Sequence, residues 1–357
     1  MLSLIIGFFI SFITTLAIIR YKNLHLQFTA DHDFSGPQKF HHMAVPRIGG
    51  ISIMFGIFSA VIVRALSVEA FSLDVMLVLC SVPAFTIGLL EDITKLISVK
   101  VRLLFTAIGA ALAIHFTGGL ITNLDLPIIN FLFSIPGFAF LFTVLAITGL
   151  SNAYNIIDGF NGLSSMVGII SLLGLAYVSY RIGDSSLLYL NLAMMAAICG
   201  FFLWNYPRGL IFLGDGGAYL IGFWIAVMSI LLVQRHPEVS PWFAVLINAY
   251  PILETLFTIY RRKIHQGKSP GMPDGIHFHT LIYRRILNQN VPTHKESMFS
   301  ANARTSPYLW SLSALAIAPA VLFWQSTSLL IASVVIFTTF YLWLYKSIVT
   351  FKTPHWM

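Results

Sequence analysis

Eleven long apolar runs, separated by short polar gaps, organise this chain. They begin near Leu2, Ile48, Leu73, Leu103, Gly137, Leu163, Ser186, Gly216, Pro241, Tyr308 and Ser328. A helix needs about 20 mainly apolar residues to cross a bilayer. The pattern therefore predicts an all-α polytopic membrane protein with about eleven transmembrane helices. The runs use most of the 357 residues, so residues 1–357 read as a single integral-membrane domain with no separate soluble part. One gap differs from the rest. Residues 121–137 carry β-branched and aromatic side chains interrupted by Pro127 and Pro136, too short and broken for a span, and a small hairpin is expected there.

Composition agrees with the pattern. The chain is 57% hydrophobic and 10% charged, with mean hydropathy +0.83, whereas a soluble domain has about 25% charged residues. Cys80 and Cys199 both fall inside spans and read as packing residues.

The charges fall in alternate gaps. Of 21 Lys and Arg residues, only Arg64, Arg181 and Arg235 lie in one set of loops, and the other 18 lie in the other. Excess Lys/Arg marks cytoplasmic loops. The first run has no basic residue before it and is followed by Arg20 and Lys22. This is the reverse of a cleavable signal peptide. The expectation is a retained first span, an outer N-terminus and an inner C-terminus, which makes the 121–137 hairpin periplasmic. Cytoplasmic loops 20–47, 91–102, 151–162, 204–215 and 261–307 then form the active face. The net charge of +7 suits anionic lipid headgroups or phosphates. It is spread over many short loops, which argues against nucleic acid as a partner.

Positive-inside bias does not explain why 9 of the 14 acidic residues share that side. Five segments there carry candidate chemistry. In SNAYNIIDGFNGLS (151–164), Asn152, Asn155 and Asp158 recur every three residues, a stripe on one helical face suited to a nucleotide or an ion, or simply a polar helix end. In FLGDGGAYLIGF (212–223), Asp215 stands among glycines before a span. Helix-start N–H groups attract phosphate, and such an Asp holds Mg²⁺ alongside substrate phosphates; a plain N-cap is the alternative. In GLLEDITKLISVKVR (88–102), Glu91 and Asp92 end a span ahead of Lys95. Adjacent carboxylates favour a cation nearby, or are a solvated helix end. In SPGMPDGIHFHTLIYRR (269–285), His277 and His279 lack the further ligands of a zinc site, while nearby arginines suit a diphosphate. In GPQKFHHMAVPRIGG (36–50), Lys39, His41 and Arg47 precede a glycine pair; ordinary positive-inside charge explains them equally well.

In this order the segments resemble the polyprenyl-phosphate N-acetylhexosamine-1-phosphate transferase superfamily (glycosyltransferase family 4). The resemblance runs from about Lys39 to His279 and rests on NxxNxxDG, the GDGG turn, PxxE…RR and HxH. The histidine motif ends in Thr280 rather than a third His, which places the chain closer to the hexosamine-1-phosphate branch than to the phospho-MurNAc-pentapeptide translocase.

The resemblance implies an enzyme of the bacterial inner membrane that starts O-antigen or another cell-envelope polysaccharide. Sugar-1-phosphate would pass from a UDP-N-acetylhexosamine, or a 6-deoxy relative, to undecaprenyl phosphate, with Mg²⁺ (or Mn²⁺) required. It also implies residue roles. Asp215 matches the metal-binding Asp. Glu91 and Asp92 match the acidic pair and Lys95 its basic partner. Asn155 and Asp158 match the nucleoside site, beside Asn152. Lys39, Asn161, Asn205 and Phe212 match the uracil pocket, and His277 and His279 the histidines near the phosphates. The family's usual Asp-Asp pair begins here with Glu91, so Asp92 is preferred as the reactive member. The family's second loop Asp is Asn161, and its Asp after the proline of the ninth span is Glu254.

Two other functions stay open at this point. One is a nucleotide-sugar or lipid-linked-sugar transporter, suggested by the span count, although the spans hold few ionisable groups besides Glu254 and His115. The other is a catalytically dead lipid-binding scaffold, suggested by Glu91 and Asn161. Sugar identity and oligomeric state are not legible, and a homodimer remains open.

Overall fold

The computed structural model describes residues 1–30, 44–68, 73–267, 275–287 and 295–350. Lys39, His41 and Asp274 lie outside them. All eleven apolar runs are helical. They form α1 (Leu2–Arg20), α3 (Gly50–Val68), α4 (Leu73–Thr94), α5 (Val99–Thr117), α7 (Phe138–Ile157), α8 (Leu163–Ile182), α9 (Ser185–Asn205), α10 (Gly214–Arg235), the pair α11 (Pro241–Ile247) and α12 (Ala249–Tyr260), α14 (Lys295–Leu322) and α15 (Thr327–Val349). Short helices α2 (Lys22–Thr29), α6 (Pro127–Asn130) and α13 (Phe278–Ile282) complete the set. Nine of these helices are long and apolar enough to span a membrane among the described residues, or ten if α11 and α12 count as one bent span. The apolar part of α3 is shorter, at Gly50–Leu66, which accounts for the difference from eleven.

Three expectations change. Residues 121–137 form α6 and a 3₁₀ turn, Phe131–Ser134, with no strand. Pro127 occupies the first helical turn, where its fixed φ favours a helix start, and Asn130 Oδ1 accepts the Leu124 N–H at 3.0 Å. The run from Pro241 is broken at Asn248 and bent by 74°. Pro251 offers no N–H to the preceding turn, and Asn248 bridges the break, donating to the Ala244 carbonyl at 3.0 Å. Finally, α14 starts at Lys295, well before the apolar run at Tyr308, so the last part of the 261–307 loop is helix.

Helix α10 is the axis of the molecule. Every residue from Gly214 to Leu232 is buried, as expected for a helix apolar on all sides. It packs against α3, α4, α5, α7 and α8. Gly88 on α4 permits the closest approach. A Cβ there would lie 2.6 Å from the Gly216 nitrogen, so a larger residue would push α4 off the α10 N-terminus.

The two ends of the bundle are chemically distinct. One end joins the 118–137 segment to the first turns of α11 and α15. Trp242 Nε1 donates to the Leu124 carbonyl at 2.9 Å, and Thr327 Oγ1 to Asp125 Oδ2 at 2.7 Å. Arg64 pairs with Asp74 there at 3.1 Å. The opposite end gathers the C-termini of α4 and α7 and the N-termini of α5 and α10.

Candidate active site

Asp215 organises that second end. Gly214, with φ of 75°, is the left-handed residue that lets the chain turn into α10. Asp215 thus falls in the first helical turn and is 8% exposed. Its Oδ1 accepts from Asn155 Nδ2 at 2.9 Å and from Arg47 Nη2 at 3.4 Å. Its Oδ2 pairs with Arg102 Nη1.

The N–H groups that open α10 are already engaged. Asp92, 1% exposed, accepts the Asp215 N–H through Oδ1 at 2.9 Å and the Gly216 N–H through Oδ2 at 3.0 Å. A carboxylate from α4 therefore caps α10, where the helix dipole favours negative charge. The phosphate site expected on those N–H groups is filled by the protein itself, and Asp215 is not the cap. Arg47 Nη2 lies 3.6 Å from Asp92 Oδ1, so one guanidinium bridges both acids.

Glu91 differs from its neighbour. It is half-buried, and Oε2 accepts the Ile97 N–H at 2.7 Å. The sequence reading prefers Asp92 as the reactive acid, but the geometry weighs towards Glu91, because both Asp92 oxygens hold α10. Lys95 is exposed, has a φ of 57°, and donates from Nζ to the Ala30 carbonyl at 2.6 Å. Among the described residues, the cations that meet the carboxylates are Arg47 and Arg102. Arg102 was not singled out by sequence. A signal existed, since a cation in the first turn of α5 stands against the helix dipole and calls for a partner.

Asp158 follows α7, one turn after Asn155, and is half-buried. Burial, reinforced by the negative charge of Asp215 and opposed by Arg47, pushes its carboxyl up to about 8. Asn152 accepts from the Tyr219 hydroxyl at 2.9 Å.

Asn161 and Asn205 serve the loops. Asn161 Nδ2 donates to the Pro207 carbonyl at 3.1 Å, and its N–H donates to Asn302 Oδ1 at 3.0 Å. Asn205 accepts the Gly162 N–H at 2.6 Å and donates to the Ile211 carbonyl at 2.7 Å. Both are buried, and these bonds tie the 158–162 and 206–213 loops to α14. Phe212 is half-buried, with its N–H on the Pro46 carbonyl at 2.8 Å and its carbonyl accepting the Gly49 N–H at 3.0 Å.

A second cluster adjoins the first. His277 Nδ1 lies 3.0 Å from Glu254 Oε1, and the Tyr341 hydroxyl donates to Glu254 Oε2 at 2.8 Å. The His277 and His279 rings stack at 5.2 Å. His279 closes over Gly159, where a Cβ would lie 2.6 Å from Nε2. The bend at Asn248 precedes Glu254 on α12, and the histidine segment follows in α13. The histidines thus meet the residue beside Asp158.

Among the described residues no three His, Cys, Asp or Glu side chains form a complete metal cage. Mg²⁺ needs less, since one or two carboxylates suffice when substrate phosphates and water fill its shell. Four carboxyl groups, Glu91, Asp92, Asp158 and Asp215, interact electrostatically here with two guanidiniums, Arg47 and Arg102. A crowded set of hard-oxygen donors fits a divalent cation.

Residues 75–233 match the family model described as glycosyl transferase family 4. The chain is 28% identical over 336 residues to a probable undecaprenyl-phosphate N-acetylglucosaminyl 1-phosphate transferase of Bacillus subtilis (strain 168), covering 90% of this chain and 87% of that protein. It is 30% identical over 249 residues to the undecaprenyl-phosphate alpha-N-acetylglucosaminyl 1-phosphate transferase of Thermotoga maritima, covering 70% and 72%. The protein of that name in Escherichia coli O157:H7 is 32% identical over 260 residues, covering 69% and 67%.

Proposed function

The chain belongs to glycosyl transferase family 4, and from that premise we propose that it transfers a sugar-1-phosphate from a UDP-sugar to undecaprenyl phosphate. An oxygen of the lipid phosphate attacks the sugar-bearing phosphorus. The P–O bond to UMP breaks, and UMP leaves with the electron pair. The products are UMP and undecaprenyl-diphosphate-sugar. The relatives' names supply the reaction class and the lipid acceptor, and they offer no support for a transporter. The donor sugar is an N-acetylhexosamine or a 6-deoxy relative.

The observation that carries this reading is the convergence of three carboxyl groups, Glu91, Asp92 and Asp158, and two guanidiniums on Asp215 at one end of a bundle of spans. Phosphoryl transfer depends mainly on positioning and charge neutralisation. Asp215 and Asp158 would hold Mg²⁺, which neutralises the diphosphate when bound. Asn155 fixes the Asp215 carboxylate. Asp92 fixes the helix that bears it. Arg47 and Arg102 supply fixed positive charge. Glu91, with one oxygen on Ile97 and no bond of its own to the start of α10, is the member of the acidic pair that we assign to the lipid phosphate. The His277–Glu254 pair presents His279 to the same site. A site at helix ends meets a soluble donor and a membrane-held acceptor together. The charge asymmetry of the loops supports a cytoplasmic site in a bacterial inner membrane.

The test is UMP release by the purified protein with Mg²⁺, undecaprenyl phosphate and a panel of UDP-sugars, including the GlcNAc, QuiNAc and FucNAc donors. Release with one donor and its loss in Asp215→Asn is the expected result. Unchanged turnover in Asp215→Asn would remove the metal assignment, and no release with any donor would remove the reaction.

A further inference from the structure

Arg102 occupies one oxygen of the carboxylate that a divalent cation would need. Its Nη1 pairs with Asp215 Oδ2, while Oδ1 is held by Asn155 and Arg47. Arginine stays charged at every accessible pH, so it cannot leave Asp215 by losing a proton and must be displaced. We infer that Arg102 is a displaceable counter-ion. It neutralises Asp215 until a divalent cation binds, and then turns its guanidinium to the diphosphate of the donor. This rests on the reading of Asp215 as a metal ligand.

Three observations carry the inference. The first is charge. Among the described residues, the carboxyl groups of Glu91, Asp92 and Asp158 crowd Asp215 beside Arg47 and Arg102, and a divalent cation would relieve that crowding. Once it binds, Arg102 is redundant on Asp215, and an incoming diphosphate restores its partner. The second is an unused donor. Arg102 Nε is buried without a hydrogen-bond partner, a cost that an acceptor arriving in the site would relieve. A phosphate oxygen suits a guanidinium fork in this way. The third is a second resting place. The guanidinium lies 6.0 Å from the centroid of the Tyr219 ring, within cation–π range. Tyr219 is held by its bond to Asn152. Arg47 is less free to move, because it bridges Asp92 and Asp215.

The device would order the reaction. A cation alone must compete with Arg102. A cation arriving with a diphosphate does not, because the diphosphate takes the guanidinium away. Cation and nucleotide should therefore each strengthen the other's binding by the same factor.

The experiment measures Mn²⁺ binding to the full chain in detergent by electron paramagnetic resonance, with and without UDP. In the wild type, UDP should tighten Mn²⁺ binding. Arg102→Gln should bind Mn²⁺ alone about tenfold tighter, the size of effect expected from removing one charge-assisted competitor, and should lose most of the UDP enhancement. A purely structural role for Arg102 would not move that coupling. Unchanged or weaker Mn²⁺ binding in folded Arg102→Gln overturns the inference while leaving the transferase reading intact. If Asp215→Asn binds Mn²⁺ as well as the wild type does, the metal assignment fails and this inference with it. Should Arg102→Gln not fold, Arg102→Lys keeps the charge and loses the fork. It should bind Mn²⁺ about threefold tighter with weakened UDP coupling, and wild-type values for both would overturn the inference.

Discussion

Asp92 holds Asp215 in place through its backbone. The Asp92 carboxylate, on α4, accepts the N–H of Asp215 at 2.9 Å and that of Gly216 at 3.0 Å. The Asp215 side chain is left to face Asn155, Arg47 and Arg102. Two acids 123 residues apart thus divide the work. One fixes a helix start, and the other presents its oxygens to the site.

That division predicts different signatures for the adjacent acids. Asp92→Asn keeps one acceptor oxygen but turns an NH₂ group towards a backbone N–H. The variant should lose about 1–3 kcal/mol of stability and most of its turnover together. Glu91→Gln should lose turnover while its melting temperature in detergent stays at the wild-type value. A stable, inactive Asp92→Asn would return the reactive role to Asp92.

Gly159 sets the position of His279. A Cβ at residue 159 would lie 2.6 Å from His279 Nε2 and 2.9 Å from its Cδ2. The ring cannot retreat easily, since His277 stacks on it at 5.2 Å and Phe160 meets it edge-on at 5.5 Å. Gly159→Ala should cut kcat by about a hundredfold, the size of effect expected from small misplacements in an active site, with little change in melting temperature. In a His279→Ala background the same substitution should cost nothing further. Fully additive losses would show that Gly159 acts through something other than His279.

The spans were legible because apolar runs of bilayer length have few alternative explanations, and each of the eleven is helical. The break at Asn248 was hidden. Pro251 hinted at it, but the 74° bend depends on Tyr154 and Ser229 lining the break, and both are distant in sequence. Motif spacing picked out residues that the fold brings together, namely Asn155, Asp158, Asp215 and the acidic pair. The division of labour within it was not legible. Asn161 and Asn205 look like base-reading amides in a one-dimensional pattern, while in the fold Asn205 bonds the Gly162 N–H and the Ile211 carbonyl and Asn161 Nδ2 donates to the Pro207 carbonyl. Arg102 looks like one more basic residue of a charged loop until α5 carries it to Asp215.

Tyr341 offers a test of the histidine cluster. Its hydroxyl donates to Glu254 Oε2 at 2.8 Å, while Glu254 Oε1 meets His277 and the Phe278 N–H. Glu254 is 1% exposed, so a lost donor is not replaced by bulk water. Tyr341→Phe should cost about 1–3 kcal/mol, read as a lower melting temperature. The double variant Tyr341→Phe with Glu254→Gln should be less destabilised than the sum of the two, because a neutral amide tolerates the missing donor better. Simple additivity would mean that the hydroxyl does not act through Glu254.

Asp184 ties together loops at the far end of the bundle. It caps α9 by accepting the Leu187 N–H at 2.9 Å. His236 Nε2 lies 3.0 Å from its Oδ2, and Arg235 Nη1 lies 3.8 Å away. Burial raises the carboxyl, but the hydrogen bonds from His236 and the Leu187 N–H, with the charges of Arg235 and His236, outweigh it and leave it below its ordinary value. A carboxyl lowered on folding adds stability that is fully present above its unfolded value, about 3.9, and is lost as pH falls through the folded one. The Asp184–His236 contact ties the turn between α8 and α9 to the loop after α10, and protonating Asp184 should weaken that tie. Asp184→Asn should melt below the wild type at pH 7 and pH 5, and the gap should close once the pH falls below the folded value. A gap that persists unchanged in strong acid would mean that Asp184 contributes through packing rather than charge.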